Sequence, residues 1–360
     1  MKKYLLLTTV LLIVAIVFTG CTKADIPKDE NIPKENSTEN IKPTEEDART
    51  IKDYYPFKEN TKMEYEGIGN EYAEQETFFE FIKDNRAQIK IFNSGTVIAK
   101  VLEYNDGELR EVFTEGEFYH IENMLDTDSE NNNVILKEPL KVGTTWNISG
   151  GHKKTITGVD VDIETPYKKF KALEVTTELG EGRKQFDYYV VGIGHVASIY
   201  KDGDFEVKTL LKDIKNKPYE TEVRLYYPSA TDIETLYLDR DIQFSTNGDI
   251  QKILESNLQN PESDELMPTI SKNTKINSIK LDRGNRIVNV DFSKELLTDM
   301  NAGSAMEEEI LKSIVNTFGN YYGVEKVYIS VDGAPYSSGH FGLEENEYFT
   351  VDYDNVQKFE

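Results

Sequence analysis

ILKSIVNTFGNYYGVEKVYISVDG, residues 310–333, decides the fold of the C-terminal part of this 360-residue chain. Its first half belongs to a stripe of apolar residues at helical spacing, which begins at Met306. Gly323 is typical of a helix end, and the residues after it alternate as in a strand. Ser304 and Glu307 have the spacing of a capping box at the start of the helix. The stretch therefore predicts a helix followed by a strand.

Further elements of the same kind precede this stretch. VRLYY (223–227) predicts a strand, and GDIQKILESNL (248–258) places its apolar residues on one face of a helix. TKINSIKLD (274–282) and NRIVNVDFS (285–293) predict a hairpin. Residues 219–360 are therefore predicted to form an α+β domain with two helices packed on a small sheet.

This C-terminal domain resembles the GerMN domain of bacterial sporulation and spore-germination lipoproteins over roughly residues 223–351. The resemblance rests on four segments taken in order: VRLYYPS (223–229), VNVDFSKEL (288–296), residues 310–333 and SGHFGLEENEYF (338–349). It implies an assembly or docking module of the cell envelope. The positions that carry it are those of strands, a helix and turns, so the resemblance implies a fold rather than an active site.

Residues 51–215 show a different pattern, which predicts a mainly antiparallel β domain. Short runs rich in β-branched and aromatic residues are separated by turn residues, such as Asn105-Asp106-Gly107. Examples of such runs are TFFEFIK (77–83), AQIKIF (87–92), TVIAKVLEY (96–104), ELREVF (108–113), KTITGVDVDIE (154–164), FKALEVTTE (170–178) and QFDYYVV (185–191). We expect a curved sheet or partial barrel of eight or nine strands. KNKP (215–218) predicts a boundary between two independently folding domains.

The N-terminus has the features of an export signal. Two lysines precede an apolar run, and small residues follow it, which is the layout of a signal peptide over residues 1–20. Phe18-Thr19-Gly20-Cys21 resembles the lipobox of bacterial lipoproteins. The resemblance implies that Cys21 becomes a diacylglyceryl-cysteine, which anchors the chain to the outer face of the cell membrane. The alternative is an uncleaved transmembrane helix over residues 4–20.

Residues 21–50 contain prolines and many charges but no aromatic residue, so we expect a disordered tether. The whole chain has 41 Lys and Arg against 65 Asp and Glu, a formal net charge of −24. Such a charge opposes nucleic-acid binding. Cys21 is the sole cysteine, so the protein has no intrachain disulfide.

No motif in the sequence predicts catalysis, a cofactor or a metal. The four histidines, His120, His152, His195 and His340, lack zinc spacing, and no serine lies in a nucleophile elbow. A histidine in a glycine-containing loop, such as His340, is expected to bond to the backbone. We therefore predict no catalytic, cofactor-binding or metal-binding residue, and a lipid attachment site at Cys21 alone.

Three functional hypotheses remain at this point. The first is a non-enzymatic, lipid-anchored docking or assembly protein of the cell envelope, in sporulation or spore germination, whose partners bind the sheet side of the C-terminal domain. The second is an extracytoplasmic carrier or sensor whose β-rich domain binds a lipid or a cell-wall fragment. The third is a cell-wall hydrolase. A closed and filled interior of the β-rich domain favours the first hypothesis, and an open apolar groove favours the second.

Overall fold

The computed structural model describes residues 49–127, 133–344 and 347–360. The predicted signal peptide, Cys21 and the tether up to residue 48 lie outside these described residues. The described residues all belong to one compact unit. Within the described ranges, no helix is both long and apolar enough to cross a membrane.

In the described residues of the N-terminal domain, twelve strands pair in a single antiparallel sheet, preceded by one short helix. These elements are α1 (Ile51–Tyr54), β1 (Thr61–Ile68), β2 (Gln75–Lys83), β3 (Arg86–Asn93), β4 (Val97–Asn105), β5 (Glu108–Gly116), β6 (Asn133–Lys137), β7 (Thr145–Asn147), β8 (Lys153–Glu164), β9 (Lys169–Gly180), β10 (Arg183–Val190), β11 (Gly194–Asp202) and β12 (Phe205–Asn216). Each of the seven predicted runs falls on an observed strand. The sheet therefore has more strands than the eight or nine expected.

The sheet curls into a nearly closed barrel. Its spatial order runs from β6 through β5, β4, β3, β2, β1, β12, β11, β10, β9 and β8 to β7, so β6 and β7 are its two edges. The indole Nε1 of Trp146, on β7, donates to the carbonyl oxygen of Val134 on β6 at 3.0 Å. This bond links the edges where no strand pairing does in the described residues. The inward side chains form one apolar cluster that includes Ile89, Leu102, Leu109, Leu136, Ile156, Leu173, Val175 and Tyr189.

The C-terminal domain is α+β, as predicted. Its elements are β13 (Tyr219–Pro228), β14 (Thr235–Phe244), α2 (Ile250–Gln259), β15 (Ile276–Asp282), β16 (Ile287–Phe292), α3 (Glu295–Thr298), α4 (Ser304–Tyr322), β17 (Lys326–Val331), β18 (Ala334–Pro335), β19 (Phe349–Thr350) and β20 (Val356–Lys358). The structure adds a second sheet to the one expected. β13, β14 and β20 form the smaller sheet, and β15 to β19 form the larger.

Helix α4 contacts strands of both sheets, which explains why its polar residues are buried. The hydroxyl of Thr317 accepts the backbone N–H of Tyr226, on β13, at 3.0 Å. The side-chain amide of Asn316 exchanges two hydrogen bonds with the backbone of Asp352 in the C-terminal segment. These two buried polar side chains are thereby paired with neighbouring elements. The helix fixes the positions of the elements around it.

The start of α4 differs from the predicted capping box. Gly303 is the N-cap, Ser304 is the first helical residue, and no side-chain hydrogen bond caps the helix. The carboxylate of Glu307 accepts the hydroxyl of Tyr336 at 2.7 Å and lies 2.6 Å from Nδ1 of His340. The capping box is therefore wrong, because Glu307 is engaged by these two side chains instead. The helix end at Gly323 is confirmed by its left-handed φ of 64°.

Candidate functional site

A loop of the N-terminal domain, residues 117–125, lies between its sheet and the C-terminal domain; we name it the clamp segment. Phe118 and Ile121 are 0% and 1% exposed although they belong to a loop. Phe118 shares an apolar cluster with Phe244 from the end of β14. The backbone N–H of Ile121 donates to the hydroxyl of Tyr321, on α4, at 2.9 Å. The clamp segment therefore belongs to an apolar cluster that both domains share.

A buried ion pair lies beneath the clamp segment. Nζ of Lys90 is 2.8 Å from the carboxylate of Glu80, and the two side chains are 1% and 0% exposed. Lys90 also donates to the carbonyl oxygen of His120 at 2.6 Å. The amide of Gln88 donates to Glu80 at 2.8 Å and accepts the backbone N–H of Met124 at 2.7 Å. Each charge is thus compensated, which a buried pair requires.

A second contact between the domains lies at the turn after β14. The hydroxyl of Thr246 donates to the carbonyl oxygen of Phe79 at 2.6 Å. The backbone N–H of Asn247 donates to the backbone carbonyl oxygen of Glu80 at 2.8 Å. The ring of Tyr219 stacks on that of Phe92. The two domains therefore share more packing than the composition of residues 215–218 indicates.

Arg283, in the turn between β15 and β16, pairs with two acids of the N-terminal domain. Its Nη2 is 2.7 Å from the carboxylate of Glu122, and its Nε is 3.1 Å from that of Glu115. The guanidinium also lies 5.8 Å from the centre of the Phe118 ring. Burial opposes the charge of Arg283, but the hydrogen bonds and charges of the two carboxylates outweigh it and raise its pKa. The pairing holds the C-terminal domain against the clamp segment.

A cleft of about 450 Å³ opens beside this pairing and is lined by both domains. Tyr119, which is 59% exposed, lies on the N-terminal side. Leu281, Arg286 and Tyr322 lie on the C-terminal side. Arg286 is exposed, and one of its amino groups donates to the carbonyl oxygen of Gly323. Apolar, aromatic and cationic groups therefore border one concave surface.

The interior of the β-rich domain is filled by the chain's own residues 51–57, which we name the plug segment. Ile51 and Tyr54, on α1, are each 3% exposed and belong to the interior apolar cluster. Phe57 stacks on Tyr104 with ring centres 4.2 Å apart. Full burial of an aliphatic side chain such as that of Ile51 contributes about 1.5–3 kcal/mol. The cavity left beside the plug measures about 160 Å³, below the roughly 300 Å³ at which typical ligand pockets begin.

The interior also holds a set of charged groups. Asp187, on β10, accepts the amide of Gln185 at 2.9 Å and lies 3.6 Å from Nε2 of His195. Burial alone would raise the pKa of Asp187, but His195 and the charge of Lys154 outweigh it and hold it at about 2. Burial lowers the pKa of Lys154, which the charges of Asp187 and Glu111 partly oppose. Asp187 is thus an ionised acid inside the barrel.

Cys21, the one predicted site residue, lies outside the described residues. His120, His195 and His340, which were not predicted to form a site, lie in three separate places. His340 bonds to the buried carboxylate of Glu307 rather than to the backbone as expected. Within the described ranges, no three His, Cys, Asp or Glu side chains are grouped to hold a metal ion. Arg283 and the plug segment were not identified from the sequence, because an arginine in a turn and an aromatic N-terminal run carry no distinctive pattern.

Comparison with known families identifies the C-terminal domain. Residues 224–337 match the model of the Germane family, described as "Sporulation and spore germination". The chain carries a Germane domain. No curated protein matches the sequence of the whole chain. The description of the matched family mentions no enzymatic activity.

Solved structures similar to this chain include two of the sporulation protein GerM from Bacillus subtilis. Its first GerMN domain is 14% identical and has a TM-score of 0.29, with 36% of this chain and 97% of that chain covered. Its tandem GerMN domains are 19% identical with a TM-score of 0.29, and the match covers 39% of this chain and 47%, about half, of that one. A candidate lipoprotein from Clostridium perfringens is 22% identical, with 36% and 87% covered and a TM-score of 0.25.

We predict that Arg283→Ala weakens the attachment of the Germane domain. The change leaves Glu122 and Glu115 without their shared cation, and we expect the free energy of unfolding to fall by about 1–3 kcal/mol. Arg286→Ala is the matched control, since that arginine is exposed, and it should stay within about 0.5 kcal/mol of the wild type. Urea unfolding of all three proteins measures this, and equal losses in both variants would contradict the assigned role of Arg283.

The stability contributed by Asp187 is expected to depend on pH. Its pKa is lower in the folded than in the unfolded state, so the contribution is present above about pH 4 and is lost as pH falls toward 2. The stability difference between wild type and Asp187→Asn should change by about 2 kcal/mol over that range. Asp162→Asn, at a side chain that is 84% exposed, is the control and should show little change. Urea unfolding of the wild type and both variants at pH 5 and pH 2 measures these differences. An equal stability difference between wild type and Asp187→Asn at the two pH values would contradict the lowered pKa of Asp187.

Proposed function

We infer that this protein is a non-enzymatic, lipid-anchored protein of the cell envelope that docks or assembles with envelope partners in sporulation or spore germination. The observation that carries this inference is the Germane domain at residues 224–337. Cys21, in its lipobox-like context, attaches the chain to the extracytoplasmic face of the membrane. The charged tether spaces the compact unit from that membrane.

The way the two domains are joined supports a docking role. Arg283, the clamp segment and the buried pair of Lys90 and Glu80 keep the Germane domain in one position on the β-rich domain. A rigid pair of domains presents a surface that needs no ordering when a partner binds, which lowers the cost of association. The cleft bordered by Tyr119 and Arg286 is the concave part of that surface. Aromatic and arginine side chains are those that carry most of the energy at interfaces.

The filled barrel interior supports docking over the carrier hypothesis in the state described here. The plug segment occupies the space that a bound lipid would need, and about 160 Å³ remains beside it. A third hypothesis, a wall hydrolase, would need two facing carboxylates in a cleft. In the large cleft, Glu115 is paired with Arg283, and Glu117 accepts the hydroxyl of Tyr119. These acids are held by structural partners.

We predict that Cys21→Ala releases the protein from membranes and abolishes its function in the host. Fractionation after growth with a labelled fatty-acid analogue measures attachment, and counts of heat-resistant or germinating spores measure function. Membrane retention without label would support the uncleaved helix over residues 4–20 instead.

A second variant separates docking from anchoring. Tyr119→Ser combined with Arg286→Glu changes two exposed residues of the cleft, so we expect it to fold, to carry the lipid and to fail in function. Normal function of this anchored variant would contradict docking at the cleft.

A further inference from the structure

The plug segment lies inside the β-rich domain but is not part of its sheet. In the described structure it pairs with no strand of the barrel, yet it supplies Ile51, Tyr54, Tyr55 and Phe57 to the interior. Its hydrogen bonds to the barrel are few and come from its rim. The backbone N–H of Ile51 donates to Glu138 at 3.2 Å, and the hydroxyl of Tyr104 donates to the carbonyl oxygen of Tyr55. The backbone N–H of Gly192 donates to the carbonyl oxygen of Asp53 at 2.7 Å.

Cavities lie on two sides of the plug segment. The inner one, about 160 Å³, is walled by Tyr55 and Pro56 of the plug and by Phe79, Ile89 and Ile91 of the sheet, among others. The outer one, about 340 Å³, is walled by Ile51 and Lys52 of the plug and by the rim around Tyr104. Because plug residues line both cavities, withdrawal of the plug would enlarge the space inside the barrel.

The chemistry of this space selects an apolar guest. Next to the plug its walls are mainly aliphatic and aromatic, and the plug side chains that now fill it are isoleucine, tyrosine and phenylalanine. The charged groups of the interior include Asp187, which is paired with His195. The polar groups that face the inner cavity are few, namely Gln75, Thr77 and His195. A long flexible hydrocarbon fits a space of irregular outline between strands, and the burial of its methylene groups replaces the burial lost with the plug.

We propose that the interior of the β-rich domain is a binding site for one acyl chain of a fatty acid or phospholipid, and that residues 51–57 are its built-in competitor. The plug is the first helix and turn after the tether, so it can leave without breaking a strand ladder. The site itself is independent of the proposed anchor at Cys21. Only the expectation that membrane lipid lies close to this site rests on the proposed function.

The single tryptophan makes entry of a guest measurable. Trp146 is 6% exposed and belongs to the same interior cluster as Ile51 and Tyr54. A fatty acid brominated in mid-chain quenches tryptophan fluorescence on contact, so quenching of Trp146 reports an acyl chain inside the barrel. The protein used is the compact unit, residues 45–360, which lacks Cys21 and the signal peptide. A failure of the anchor therefore cannot be mistaken for a failure of this site.

The test compares two variants with similar losses of buried side chain. Tyr54→Ala with Phe57→Ala weakens the plug, and Phe292→Ala with Val290→Ala, at positions 0% exposed in the Germane domain, is the control. We expect half of the Trp146 fluorescence of the plug variant to be quenched at a fatty-acid concentration about tenfold lower than the wild type requires. The reason is that the weakened plug competes less well for the interior. The control should behave as the wild type. A synthetic peptide of residues 49–58 should reverse the gain by refilling the interior.

Each remaining outcome counts against the proposal. It is overturned if the plug variant gains no quenching, if the control gains equally, or if the peptide does not compete. Vesicles of brominated phospholipid, used in place of the fatty acid, distinguish the two lipid sources: quenching by both indicates that a phospholipid chain can be drawn from a bilayer. If the double variant does not fold, as judged by circular dichroism, Phe57→Ala alone carries the same comparison.

Discussion

The ion pair of Lys90 and Glu80 is the interaction on which the arrangement of the two domains depends. Both side chains are almost fully withdrawn from solvent. The clamp segment accepts a hydrogen bond from Lys90 at the carbonyl oxygen of His120, and the turn after β14 bonds to the backbone of Glu80, where the N–H of Asn247 donates to its carbonyl oxygen. Loss of one partner from such a pair costs about 3–5 kcal/mol. Opening the domains would break the hydrogen bonds that Ile121 and Asn247 make between them on either side of this pair, and these bonds favour the arrangement described.

Two further consequences follow from this joint. Helix α4 is held at its C-terminal end by Tyr321, which meets the clamp segment, and along its length by both sheets of the Germane domain. The surface of the Germane domain around Arg283 is therefore covered by the β-rich domain, so the proposed docking would use the cleft beside it rather than that face. The proposed docking role thus involves both domains together, whereas the acyl-chain site proposed inside the barrel is separate and depends on the plug segment.

Much of the architecture can be predicted from the sequence, because its elements carry strong periodicity. The apolar residues of α4 recur at helical spacing, and strands such as β3 alternate between apolar and polar residues. β1 (TKMEYEGI) and β12 (FEVKTLLKDIKN), which pair with each other, carry a weaker signal because charged residues interrupt their apolar pattern. The clamp segment has no period, and its burial arises from residues distant in the chain. The predicted capping box was wrong because Tyr336 and His340, near in space only, engage Glu307.

Hydrogen exchange at the backbone of the clamp segment tests the central claim most directly. The amides of Ile121 and Met124 belong to a loop in sequence but donate to Tyr321 and Gln88 in the structure. If the two domains form one body around this segment, both amides should exchange with a free energy close to that of Ile89 in strand β3. Exchange at the rate of an exposed loop, while Ile89 remains protected, would contradict the joint and with it the shared docking surface.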